Sequence, residues 1–127
     1  MELTLPDMKI ALDTVWVLMT AFLVFFMNAG FALVESGFSR AKNCVNILAK
    51  NYVVFAVSSI AFWMIGFGLM FGNGTSLFGQ TGFFPSLING SASFSALDWT
   101  VVPMAAKFFF QLVFAGTAAT IVSGAVA

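Results

Sequence analysis

The sequence predicts an all-α membrane protein with three transmembrane helices, and three observations carry that prediction. The first is composition: 61% of the 127 residues are hydrophobic and 8% are charged. A soluble globular domain carries roughly 45–50% apolar and about 25% charged residues. The second is that the uncharged runs are as long as a lipid hydrocarbon core is thick. The third is the placement of basic residues, which gather in one of the two connections between those runs. The same figures exclude several function classes. Five basic residues balanced by five acidic ones offer no patch for nucleic acid. One Cys cannot form a disulfide framework within the chain, and one Cys with no His leaves a zinc site almost without ligands.

The first span is Thr14 to Val34, 21 residues ending at Glu35. At about 1.5 Å per residue it reaches across a ~30 Å core. The segment before it contains Glu2, Asp7, Lys9 and Asp13, so it is acidic rather than basic. With so long an apolar run, that reads as a transmembrane helix and not a signal peptide. The second span runs over about 51–71, apolar apart from Ser58 and Ser59, and ends in the breaker Gly72-Asn73-Gly74. Val45, Leu48 and Tyr52 already stand at helical spacing, so one long helix could rise from the interface. The third span covers about 105–127, with Lys107 placed to snorkel at its start.

The connections follow. Residues 35–50 contain Arg40, Lys42 and Lys50, which places this loop in the cytoplasm by the positive-inside rule. The N-terminus and the loop over 72–100 are then outside, as expected for a multi-pass protein of the cell membrane. The outer loop carries Phe83-Phe84-Pro85 and Trp99, which suggest packing at the interface rather than a free linker. Asn73-Gly74-Thr75 and Asn89-Gly90-Ser91 match the short N-glycosylation pattern, which also matches by chance.

In the third span, Lys107, Phe110, Gln111 and Phe114 share a face at 100° per residue. Ala115, Gly116, Ala119, Ser123 and Ala127 gather on the opposite side, a surface that lets helix backbones approach closely. Two rings one turn apart suit a cation vestibule or gate, because a ring face attracts a cation and a ring body blocks water. Lipid-facing or core Phe is the alternative, in a chain with 17 of them. Gln111 and Asn28 are amides inside spans, where hydrogen bonding between helices is the simplest role. Glu35 is expected to form a structural ion pair with Arg40 or Lys42 at the interface. Cys44 reads as a small buried hydrophobe. Gly68 and Gly72 form a GxxxG pattern that permits close packing.

Two long stretches carry a family resemblance. Asn28-Ala29-Gly30-Phe31-Ala32-Leu33-Val34-Glu35-Ser36-Gly37-Phe38-Ser39-Arg40-Ala41-Lys42-Asn43, continuing to Asn51, resembles the first helix end and first cytoplasmic loop of ammonium transporters of the Amt/Mep/Rh family. Phe109-Phe110-Gln111-Leu112-Val113-Phe114-Ala115-Gly116, continuing to Ala127, resembles the family's third helix. The resemblance implies a fold of eleven helices in two inverted halves, assembled as a homotrimer with one pore per subunit. It implies transport of ammonium or ammonia, no enzymatic activity and no cofactor. By motif position, Phe110 and Phe114 would bind substrate at the external recruitment site, and Phe114 would also contribute to the gate beneath it. The family's pore histidines have no counterpart here, since the chain contains no His. Residues 1–127 are therefore expected to be an incomplete, N-terminal portion of the transporter domain. A small three-helix membrane subunit or assembly partner, and a transporter-like sensor domain, are the alternatives.

Overall fold

The computed structural model describes residues 4–86 and 94–126. Three helices long and apolar enough to cross a membrane make up its frame: α1 (Leu5–Phe38), α2 (Ala41–Phe71) and α3 (Met104–Ala125). No strand longer than an isolated bridge is found among the described residues. The all-helical membrane class predicted from composition is the observed one.

Helix α1 extends beyond its uncharged run at both ends, to 34 residues. Pro6 sits in its first turn, where a missing N–H costs nothing, and the Asp7 carboxylate accepts from the Thr4 N–H at 3.3 Å. These local signals let the polar segment before Thr14 stay helical outside the apolar run. Helix α2 opens with a 3₁₀ turn at Ala41–Asn43 and runs as α-helix through Cys44–Ala61. One π-helical turn, Phe62–Gly66, then interrupts it before it resumes at Phe67–Phe71. A wide turn disturbs the regular ladder. The Met64 carbonyl here accepts from the Phe84 N–H at 3.2 Å, and Trp63 Nε1 donates to the Pro85 carbonyl at 3.3 Å. The loop after α2, called the outer loop after its expected side, is thus bonded to the helix it follows.

That loop is compact where described. Gly74 and Gly79 form an antiparallel bridge, and the Gly79 N–H donates to the Leu69 carbonyl at 2.8 Å. The Gly68/Gly72 pattern serves this contact and not a helix–helix seam. A Cβ on Gly72 would come within 2.0 Å of the Thr81 carbonyl oxygen, and one on Gly68 within 2.9 Å of the Phe83 ring. Gly82 turns the chain at φ 82°, a conformation that suits a residue without Cβ. Phe84 packs edge-on against Trp63 at 5.5 Å, whereas Trp99 is exposed. Asn73 has its side-chain oxygen engaged by the Ser95 hydroxyl. Asn89, of the second glycosylation pattern, lies outside the described residues.

The three helices alternate in direction. Glu35 of α1, Lys50 of α2 and Ser123 of α3 meet at one end. At the other end Lys9 and Asp13 of α1 lie beside Asp98 to Val101 of the outer loop. Helix α3 packs on both α1 and α2. The buried core is small and sits under the outer loop: Phe62, Phe67, Phe94, Leu97 and Phe108. In α1 only Ala21 is buried, and Trp16, Leu23, Phe26 and Leu33 are exposed. An apolar surface this extensive is compatible with lipid or further protein, not with water.

Candidate functional site

The N-terminal half of α3 contains three consecutive phenylalanines, and helical geometry sends them in three directions. Phe108 turns into the core, 5.7 Å from Phe62 and 5.1 Å from Phe67. Phe109 meets Phe22 of α1 edge-on at 5.7 Å. Phe110 turns away from both and pairs with Phe114, ring centroids 5.1 Å apart at 66°. The two rings predicted from i, i+4 spacing therefore do meet on one face. Among the described residues neither makes an aromatic contact with α1 or α2. Phe110 is half-buried and Phe114 is 41% exposed.

Lys107, one turn before Phe110, commits its charge elsewhere. Its Nζ donates to the carbonyls of Leu97 and Thr100, the latter at 2.8 Å. The ammonium is thereby tied to the outer loop, which also fixes the first turn of α3. Gln111 makes no side-chain hydrogen bond among the described residues, so it is not the link between helices that its polarity suggested. Asn28 takes that role: the Thr117 hydroxyl lies 3.3 Å from its Oδ1, joining α1 to α3.

Of the predicted small face of α3, Gly116 packs closely, and Ala127 lies outside the described residues. Gly116 is buried against Phe55 of α2, where an added Cβ would stand 2.8 Å from the ring. Phe55 is itself held edge-on by Phe25 of α1 at 5.3 Å. Gly124 leaves room for the Glu35 carboxylate, 2.7 Å from where its Cβ would be.

Glu35 does not pair with Arg40 or Lys42. Its Oε2 stands 3.7 Å from Lys50 Nζ and accepts from Asn51 Nδ2 at 2.9 Å. Lys50 also donates to the Ser123 carbonyl at 3.3 Å. The reason is geometric. Arg40 and Lys42 lie on the turn just past α1, whereas Lys50 and Asn51 return on α2 to the level of Glu35. This cluster joins all three helices at the end of the bundle away from residues 72–86, the end expected to face the cytoplasm. Sequence reading missed Asn51, Thr117 and Thr120, the buried polar residues of the bundle. A signal was available: each is a small polar residue inside an apolar helical run. Cys44 is only half-buried.

Chemically, the Phe110–Phe114 pair can present ring faces to a small cation, worth about 0.5–2 kcal/mol depending on desolvation. Among the described residues no cluster of His, Cys, Asp and Glu could hold a metal ion.

Comparison with known proteins gives these features a context. The model of the Ammonium Transporter Family matches residues 15–127. Ammonium transporter Amt2 of Archaeoglobus fulgidus is 48% identical over 120 residues, covering 94% of this chain and 24% of that protein. A putative ammonium transporter of Synechocystis sp. is 43% identical over 118 residues, with 92% of this chain and 20% of the relative covered. Putative ammonium transporter 1 of Caenorhabditis elegans is 42% identical over 107 residues, covering 84% and 18%. The chain thus spans about a quarter or less of the length of these relatives. The family match extends from the start of the first apolar run through the aromatic pair and the small face of α3, and on it we conclude that this multi-pass membrane chain belongs to the Ammonium Transporter Family.

Proposed function

We propose that residues 1–127 form the first three spans of an ammonium transporter or channel, with Phe110 and Phe114 at its outer mouth. The observation that carries this reading is the ring pair itself, two phenylalanines joined edge-to-face on α3, neither in aromatic contact with α1 or α2 among the described residues. In the proposed role Phe110 contributes a ring face to recruit ammonium, and Phe114 contributes to recruitment and closes the path beneath. Binding at aromatic faces strips water from the ion. Desolvation disfavours a charged form, so ammonium at the constriction is driven toward ammonia. The rings act by binding and gating, with no covalent chemistry. Lys107, held by loop carbonyls, does not present a competing charge to the rings.

The same reading places Arg40, Lys42 and Lys50 on the cytoplasmic side of the cell membrane, with the N-terminus and outer loop outside. Three helices cannot enclose a pore and no His is present to line one, so conduction requires further spans. Assembly as a homotrimer belongs to the same proposal. The test is labelled methylammonium uptake in cells deficient in ammonium transport. The whole reading frame that encodes this chain should restore uptake, and residues 1–127 alone should not exceed a vector control. A whole reading frame that is made and inserted but gives no uptake would refute the transport reading. It would favour a small membrane subunit or a sensor.

A further inference from the structure

A cleft of about 550 Å³ opens at the end of the bundle where Glu35, Lys50 and Ser123 meet. Its lining changes chemistry along the bundle axis. Phe31, Val34 and Phe38 stand at i, i+3 and i+7 on α1 and form an apolar strip, and Ile121 of α3 lines the same cleft. From Phe38 to Phe31 the strip descends about 10 Å, at ~1.5 Å per residue. Just past the end of α1 come Ser39, Arg40 and Asn43, which line the cleft at its polar end.

The charges at this end are unbalanced. Residues 35–50 hold three basic side chains, Arg40, Lys42 and Lys50, against one acidic side chain, Glu35. Glu35 also lines the cleft, but its carboxylate is already met by Lys50 at 3.7 Å and Asn51 at 2.9 Å. The Arg40 guanidinium and the Asn43 amide make no side-chain hydrogen bond or ion pair among the described residues. The cleft thus pairs an uncommitted cation with an apolar wall leading away from it.

We propose that this cleft binds one anionic phospholipid, with its phosphate at Arg40 and an acyl chain along the Phe31–Val34–Phe38 strip. Such an occupant matches the cleft from end to end. An apolar helix laid here would cover the strip but leave Arg40 and Asn43 without partners. A soluble anion would meet Arg40 and leave the strip in water. A phospholipid supplies head and chain in the order the lining requires, and the planar fork of Arg matches phosphate oxygens. The surplus of positive charge selects an anionic lipid, since a zwitterionic headgroup brings a cation of its own. The inference does not rest on the transport reading or on which side of the membrane this end faces.

The test uses the protein made from the whole reading frame, in neutral detergent. Native mass spectrometry follows titration with phosphatidylglycerol or with phosphatidylcholine of the same acyl chains. Phosphatidylglycerol should bind more tightly. Arg40→Gln should weaken it about fivefold, the effect of one basic residue near a lipid headgroup, and leave phosphatidylcholine unchanged. Lys42 does not line the cleft, so Lys42→Gln removes the same charge and should matter less. Ile121→Trp fills the cleft with Arg40 intact and should also weaken phosphatidylglycerol. Equal affinity for the two lipids, or equal effects of Arg40→Gln and Lys42→Gln, would overturn the proposal. Competition by glycerol 3-phosphate would assign the cleft to a soluble anion and overturn it too. A structure in phosphatidylglycerol nanodiscs should place a headgroup phosphate at Arg40, and a side chain of a later span or of another subunit in the cleft would refute the site.

Discussion

Replacing Glu35 should loosen the end of the bundle where α1, α2 and α3 meet at Glu35, Lys50 and Ser123, and two substitutions separate its two roles. Its carboxylate accepts from Asn51 Nδ2 at 2.9 Å and faces Lys50 at 3.7 Å. The Glu35 side chain is 14% exposed and that of Lys50 is 32% exposed. At that exposure the ion pair is worth about 1 kcal/mol or less. The bond to a charged acceptor is worth ~1.5–3 kcal/mol. Glu35→Ala removes both and leaves Asn51 Nδ2 with Ile47 alone. The expected loss is about 2–3 kcal/mol, roughly a 30- to 150-fold rise in the unfolding constant. Glu35→Gln retains a neutral acceptor for Asn51 but loses the ion pair and the charge on that bond, so it should cost about 1–2 kcal/mol, less than Glu35→Ala. Tryptophan fluorescence during denaturant titration in mild detergent reads both variants. Equal losses from Gln and Ala would show that the hydrogen bond carries nothing. A wild-type value for Ala would refute the role of the cluster altogether.

Other consequences are open to direct measurement. Gly116→Ala should destabilise by about 1 kcal/mol net. Overpacking against Phe55 costs ~1–3 kcal/mol, and the helix-propensity gain of Ala returns up to about 1 kcal/mol. Phe55→Leu should relieve this loss in the same unfolding assay; unchanged stability in Gly116→Ala would contradict the close approach. In the whole transporter, Phe110→Ala should weaken recruitment by about 1 kcal/mol of cation–ring attraction, read as a higher KM for methylammonium. Phe114→Ala should alter selectivity against larger amines, and unchanged transport in both variants would assign the rings to packing. In a Cys44→Ser background, an impermeant thiol reagent added to intact cells should label Ser76→Cys and spare Lys42→Cys. The reverse pattern would invert the proposed topology.

The candidate site was partly legible before folding. Phe110 and Phe114 fall together because i and i+4 always share a helix face, and the structure brings their rings to 5.1 Å. The fate of Phe108 and Phe109 was not legible. Their neighbours, Phe62, Phe67 and Phe22, are distant in sequence. Likewise Gly116 announced a close approach, but only the packed bundle names Phe55 as the side chain that fills it.

The sequence alone determined the solvent and the spans. Composition and charge spacing act locally, and a backbone in lipid must satisfy its own hydrogen bonds, so long apolar runs become helices wherever they occur. It also determined the family, because long ordered motifs survive in linear order. Tertiary structure decided which polar groups meet. Glu35 has Arg40 and Lys42 close along the chain, yet pairs with Lys50, since α2 returns beside α1 and carries Lys50 and Asn51 back to its level. Gly68 and Gly72 are spaced for a helical partner, yet receive the outer loop, since the π-helical turn and the Met64 carbonyl hold Phe84 against α2. In each case the sequence fixes what a residue can bond, and only the path of the chain through space fixes what comes within reach.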